Sequence, residues 1–236
     1  PWGIKRDKKI KESLKIKGIE INSFNGSLLW EPWQVLKNDG TPYRVFTPYY
    51  RRGCYNATQP RMPLNIPDKI EYYNIKNNNG LDIDSLNLLP NHQWKDKIIN
   101  NWGIGEKAAE QRLEKFIDFE IDGYKEGRNF PNKKNVSRLS PHLHWGEISP
   151  NTVWYKIWNL QQLGIKKFQD TDTFLSEMGW REFSYYLLYY FPDLPRKNLQ
   201  KKFDNFSWDI NSSFLEAWQK GQTGYPVIDA GMRELW

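Results

Sequence analysis

Helical spacing of apolar residues opens the chain, gives way to a long irregular middle, and returns after Gly105. Over residues 5–17, Ile10, Leu14 and Lys17 fall at helical intervals and Gly18 supplies a stop. Ile19-Glu20-Ile21 then alternates like a strand. A helix followed by a strand is the form in which an α/β domain ends. From 22 to 60, Gly26, Pro32, Gly40, Pro42, Pro48, Gly53 and Pro60 break any regular period, which predicts ordered loop with aromatic anchors. Between Asn74 and Asn101 there are eight asparagines and little periodicity. This stretch reads as a long connection between domains, held at intervals by Leu86, Leu88, Leu89 and Trp94.

Beyond Gly105 the pattern is helical throughout, with no period that would signal repeats. Ala109, Leu113, Phe116, Ile117 and Tyr124 form one apolar stripe, predicting a helix over 106–124. Ser149-Pro150 combines an N-cap with a proline at the first helical position, and that helix runs to a stop at Gly164. Asp172 or Thr173 caps the next helix, whose apolar positions are Leu175, Met178, Phe183, Tyr186, Leu187 and Tyr190, and Pro192 ends it. Two further helices, 213–220 and 226–236, flank the turn at Gly221 and Gly224.

Composition narrows the classes. Thirty-four Lys and Arg against twenty-eight Asp and Glu leave a net charge of +6, which suits a polyanionic partner. Twelve Trp, thirteen Tyr and twelve Phe add rings that stack on bases or fill a core. Cys54 is the only cysteine, so no intrachain disulfide forms, and a reducing, cytoplasmic setting is expected. The histidines are His92, His142 and His144; without CxxC or HExxH spacing no metal site is expected. The longest strongly apolar run, 185–191, is far too short to span a bilayer, and no signal peptide is visible.

The most specific string is Thr223-Gly224-Tyr225-Pro226-Val227-Ile228-Asp229-Ala230-Gly231-Met232-Arg233-Glu234-Leu235. Three more blocks precede it: Asp39-Gly40-Thr41-Pro42-Tyr43-Arg44-Val45-Phe46-Thr47-Pro48, Ser137-Arg138-Leu139-Ser140-Pro141-His142-Leu143, and Trp180-Arg181-Glu182-Phe183. In order and spacing these blocks resemble the DNA photolyase and cryptochrome family across essentially the whole chain, and most of all a class I photolyase for cyclobutane pyrimidine dimers. The resemblance implies a mixed fold: the end of an α/β, Rossmann-like antenna domain over 1–30, an interdomain linker over 31–104, and the first part of an all-α FAD-binding domain over 105–236. The chain begins at Pro1 and stops at Trp236 inside a continuing helical pattern, so it reads as an internal piece of such a protein.

The same resemblance places FAD against Tyr124 and the run Val136, Ser137, Arg138, Leu139 and Ser140. A loop of small polar residues entering a helix offers N–H groups and hydroxyls to a pyrophosphate, and Arg138 adds a charge there. Val136 departs from the family, where a hydroxyl residue is frequent, leaving only its backbone for contact. UV-damaged DNA maps onto Arg128 and the run Glu177, Met178, Gly179, Trp180, Arg181, Glu182, Phe183 and Ser184, with Glu177 and Trp180 as the residues closest to the chemistry. Glu177, Trp180, Arg181 and Ser184 share one helical face, opposite the apolar stripe. Taken alone, Glu177 and Arg181 read as an ordinary i,i+4 ion pair and Trp180 as a core residue.

By resemblance the activity is light-driven repair of cyclobutane dimers by an electron from excited reduced FAD, on damaged DNA and as a monomer. A Trp at position 180 favours a dimer-repair enzyme over a plant-type cryptochrome, and Met232-Arg233 leans toward the cyclobutane class over the 6-4 class. A blue-light receptor on the same fold and an aromatic-rich nucleic-acid module without flavin are the alternatives. The opening residues 1–7 lack the Asn-Glu pair of folate-binding relatives, so a second, antenna chromophore of folate or deazaflavin type stays open.

Overall fold

The computed structural model describes residues 2–71, 80–89, 92 and 94–235. They form two compact units, Pro1–Pro192 and Asp193–Trp236. The connection expected over 74–101 lies partly outside the described residues. Within the described part, Leu86, Leu88, Leu89 and Trp94 are all about half exposed or more, so they do not anchor it. Trp94–Asn101 is itself a helix, α3.

In the first unit, α1 (Trp2–Ile16) buries none of its residues and ends before Gly18, whose φ of 72° continues no helix. The strand expected at 19–21 does not form: the backbone there is irregular, and among the described residues no strand exists for it to pair with. The α/β character expected of 1–30 is therefore absent from the described structure, which is helical. The loop expected over 22–60 contains the short helix α2 (Phe46–Pro48) and a π turn over Tyr49–Cys54. Its anchors are real: Leu29, Trp30, Tyr49 and Tyr50 are all buried.

The helix expected over 106–124 is broken. α4 (Glu106–Lys115) runs into a π turn, Phe116–Glu120, and a second helix, α5 (Tyr124–Gly127), follows Gly123. The wider π turn takes up one extra residue, which carries Ile121 into the core beside Leu113 and Phe116. Gly123 has a φ of 80°, the left-handed conformation that ends the first helix and opens the second. Beyond it lie α6 (Ser140–Trp145) and α7 (Pro150–Gln162). Ser149 caps α7 as expected, its hydroxyl accepting from the Asn151 N–H at 3.2 Å.

The spine of the unit is α8 (Phe168–Tyr190), 23 residues and so about 34 Å long. It starts four residues before the expected cap. Asp172 does not cap it but accepts both Nη atoms of Arg51 at 2.6 and 2.7 Å, while the Thr173 hydroxyl donates to the Gln169 carbonyl. Asp170, buried in the first turn, accepts from the backbone N–H groups of Gly123 and Lys125 at 3.0 and 2.9 Å. One carboxylate thus fixes the N-terminus of α5 to α8, where the helix dipole favours it. Phe174, Leu175, Met178, Phe183 and Tyr186 of α8 pack into the core with Val153 and Ile157 of α7.

The second unit holds α9 (Ser212–Gln219) and α10 (Pro226–Leu235), near the expected positions. Asn211 caps α9 through its side-chain oxygen. The signature string at 223–235 builds a turn: the Asp229 carboxylate accepts from the Thr223 N–H and hydroxyl and from the Gly224 N–H, at 2.8, 2.6 and 3.0 Å. Those hydrogen bonds, the Thr223 hydroxyl first, hold the Asp229 carboxyl below its ordinary pKa. Gly221 has a φ of 62°, and a Cβ there would fall 2.9 Å from the Asp229 carbonyl oxygen. No helix among the described residues is long and apolar enough to cross a membrane.

Candidate functional site

A cleft of ≈ 350 Å³ opens in the first unit, lined from α5, Ser137 and Leu139, α6 and α8. Four of the expected cofactor residues meet in it: Tyr124, Ser137, Leu139 and Ser140. From α8 come Phe174, Glu177, Met178, Arg181 and Tyr185. Val136 and Arg138 are not part of this lining. Arg138 has a φ of 52°, so its side chain leaves the loop on another side and faces a separate hollow with Trp102, Arg112 and Lys115.

The loop is held from behind by a residue with no sequence signal. Arg112 Nε donates to the Ser137 carbonyl at 2.7 Å and Nη2 to the Val136 carbonyl at 3.2 Å, while Nη2 also pairs with the mostly buried Glu120. Burial, with Arg138 nearby, pulls the Arg112 guanidinium below its ordinary pKa. Asn135 adds a second tie, its amide donating to the carbonyls of Glu120 and Asp122 at 2.9 and 3.0 Å. The Val136 backbone is thus already engaged by Arg112.

The run 177–184 divides by face. Met178, Gly179, Glu182 and Phe183 are buried and, contrary to the expectation for the whole run, offer DNA no accessible surface. Trp180 and Ser184 are exposed and Glu177 and Arg181 half-buried, which leaves those four on the accessible side. Their pairing differs from the i,i+4 expectation. Glu177 pairs with Arg128 at 2.5 Å, and Arg181 turns to Glu182 at 2.9 Å, its guanidinium also lying 5.2 Å from the Tyr185 ring. Arg181 therefore faces the cleft with its charge engaged, not the outer surface. Arg128, at the end of α5, lies 5.6 Å over the Tyr124 ring and so spans the cleft wall and the α8 face. The Ser184 hydroxyl donates to the Trp180 carbonyl.

Glu182 has a structural task instead. Its carboxylate accepts from the Leu29 and Trp30 N–H groups at 2.7 and 3.4 Å, fastening the 22–60 loop to α8. Burial pushes its pKa up to about 7, while Arg181 and the two backbone donors pull the other way.

The chemistry of the cleft fits part of FAD. Leu139, Phe174, Met178 and Tyr185 offer an apolar wall for a flat ring, and the Ser137, Ser140 and Tyr124 hydroxyls with Arg181 offer donors for oxygen-rich groups.

Residues 1–67 match the family model for DNA photolyase, and residues 174–236 match that for the FAD binding domain of DNA photolyase. The chain is 39% identical over its whole length to a deoxyribodipyrimidine photo-lyase of Agrobacterium fabrum, of which it covers 49%. It is 32% identical to cryptochrome-1 of Arabidopsis thaliana, again over its whole length and covering 35% of that protein. Its structure is similar to a bacterial class III photolyase from Agrobacterium tumefaciens, with a TM-score of 0.90 at 39% identity, over all of this chain and 48% of that one. That relative is of class III, whereas the sequence blocks suggested class I. The chain spans about half the length of the curated photo-lyases it matches.

Proposed function

The chain belongs to the DNA photolyase and cryptochrome family, and on that premise we propose that it serves light-driven repair of cyclobutane pyrimidine dimers in DNA, as part of a deoxyribodipyrimidine photo-lyase. The observation that carries this reading is the juxtaposition on α8 of a cleft suited to flavin and an exposed indole, Trp180, 46% accessible, one helical turn from Glu177. Residues 1–30 belong to the end of the antenna domain, 31–104 to the linker and 105–236 to the FAD-binding domain. Tyr124, Ser137, Leu139 and Ser140 would hold FAD, whose reduced, light-excited form would supply the electron for splitting the dimer and take it back.

The protein's own residues do the rest. Trp180 gives an extruded dimer a flat apolar surface, and flipping is cheapest where the damaged bases already stack poorly. Glu177 places a polar group at the base edges, and Arg128 supplies charge toward phosphate. UV-damaged DNA is thus the partner, bound by a monomer; whether a second chromophore of folate or deazaflavin type joins FAD stays open. The lone cysteine, Cys54, is free and buried, in keeping with a cytoplasmic setting.

Trp180→Ala tests the assignment. It is expected to weaken binding of a dimer-containing oligonucleotide by about 1–3 kcal/mol, the worth of one stacking aromatic, and to leave flavin content unchanged. Loss of flavin with intact DNA affinity would assign Trp180 to the cofactor site instead.

A further inference from the structure

The block at 39–48 carries the family resemblance but lines no part of the cleft. Its Phe46 stacks on Trp180, ring centroids 3.8 Å apart and planes 12° from parallel. Tyr50 lies nearly parallel to Phe46 in turn, at 5.5 Å and 8°. Tyr50 is immobilised from two directions. Gly179, next to Trp180 in α8, lets its ring come so close that a Cβ there would fall 2.5 Å from Tyr50 Cδ2. The Arg51 guanidinium lies 5.2 Å from the Tyr50 ring and is itself pinned to Asp172 of α8. Three near-parallel rings therefore connect a half-exposed indole to a fully packed tyrosine, and both ends of the series rest on the same helix.

We infer that Phe46 is a positioning residue of the lesion site: backed by Tyr50 and Gly179, its ring presets the Trp180 indole and so sets the preference for damaged over undamaged DNA. An exposed indole free to change rotamer loses that freedom when a base stacks on it, and the loss weakens binding. Phe46 removes the loss in advance by restricting the indole before DNA arrives. It also covers part of the indole, which limits the surface open to a base. Undamaged duplex keeps its bases stacked and does not call on the platform, so its binding is indifferent to Phe46. The inference rests on Trp180 as the surface that meets the dimer, and its test separates the two.

The measurement is equilibrium binding of a dimer-containing oligonucleotide and its undamaged twin to wild type, Phe46→Leu, Phe46→Tyr, Trp180→Ala and the double variant Phe46→Leu/Trp180→Ala. Phe46→Leu is expected to lower affinity for the dimer about 3- to 10-fold, the usual effect of one mobile side chain at an interface, without changing affinity for undamaged DNA. Phe46→Tyr keeps the ring and the wild-type preference. In the Trp180→Ala background, Phe46→Leu adds nothing, because the group it positions is gone. Equal weakening toward both DNAs, or independent effects in the double variant, overturns the inference while leaving the site reading intact. A Trp180→Ala variant with unchanged dimer preference overturns both. Phe46→Met, apolar and unbranched but without a ring, carries the same expectations and serves if the Leu variant does not fold.

Discussion

Arg128 Nη1 lies 2.5 Å from the Glu177 carboxylate, joining the short helix that carries Tyr124 to the face of α8 that carries Trp180. Both side chains are partly open to solvent, 30% and 37%, so the pair contributes modestly to stability, about 1 kcal/mol or less. Its larger effect falls on DNA. While Arg128 is paired, its charge is partly neutralised before any phosphate approaches.

Glu177→Gln therefore frees Arg128, and the slope of log affinity against log salt steepens by about 0.9, one further phosphate contact. Arg128→Ala changes the wild-type slope by less than that. Titrations of undamaged duplex over a range of salt read both numbers; an unchanged slope in Glu177→Gln places Arg128 outside the DNA path.

The same glutamate separates binding from chemistry. A dimer that has gained an electron needs hydrogen-bond donors at its carbonyl oxygens, and an ionised carboxylate only accepts. Glu177→Gln supplies an N–H, so with saturating dimer and fully reduced flavin it retains more repair per absorbed photon than Glu177→Ala. Equal yields for wild type and Glu177→Ala return Glu177 to the role of an ion-pair partner of Arg128.

Stability should carry the mark of Glu182. Its folded-state pKa of about 7 lies above the ordinary 4.5, chiefly through burial, so the unfolded chain gives up this proton first as pH rises. The contribution of this group therefore falls from about pH 4.5 and levels off above about pH 7, a loss of up to about 3 kcal/mol. Urea unfolding of wild type and Glu182→Gln across that window shows the difference: the variant lacks this decline. Parallel pH profiles for the two proteins contradict the assignment.

Among the described residues, the Tyr50 hydroxyl is the buried side-chain group without a hydrogen-bond partner; the neighbouring Tyr55 phenol accepts from Arg51 instead. Tyr50→Phe removes that unsatisfied group while keeping the ring, and thermal unfolding should show stabilisation of about 1 kcal/mol. Gly179→Ala pushes a methyl into the same ring and destabilises by about 1–3 kcal/mol despite the better helix propensity of alanine. A stabilising Gly179→Ala would mean that the Tyr50 ring moves freely.

Much of the helical part was legible because local chemistry decides it. The cap at Ser149, the stop at Pro192 and the apolar face of α8 all lie in neighbouring residues. What was missed depends on partners far along the chain. Asp172 resembles a cap, yet it is taken by Arg51, and α8 begins earlier; the Asp170 carboxylate is spent on α5. The stripe over 106–124 holds no sign of the π turn, which follows from the fit of Ile121 into the core. Two alternating isoleucines at 19 and 21 cannot make a strand without a neighbour.

The site was legible to the same extent. The family resemblance named Tyr124, Ser137, Leu139 and Ser140, which line one cleft, and helical periodicity already put Glu177, Trp180, Arg181 and Ser184 on one face; the resemblance alone carried the whole run 177–184 to DNA, and burial turns Met178, Gly179, Glu182 and Phe183 inward. Arg112 reaches backbone carbonyls, a target that sequence spacing does not reveal. Phe46 stood in a quoted block, yet its stacking on Trp180 joins residues that only the fold brings together.

Blue-light illumination of the complete protein of which this chain is part, flavin-loaded and reduced, in the presence of an oligonucleotide containing one cyclobutane pyrimidine dimer, with restoration of the two separate pyrimidines followed over time, decides whether the chain serves repair. Restoration in the light and none in the dark is expected, with a lower rate at subsaturating DNA for Trp180→Ala. Stable flavin binding and dimer binding without any light-dependent restoration would contradict it and assign the chain to the light-sensing branch of the family.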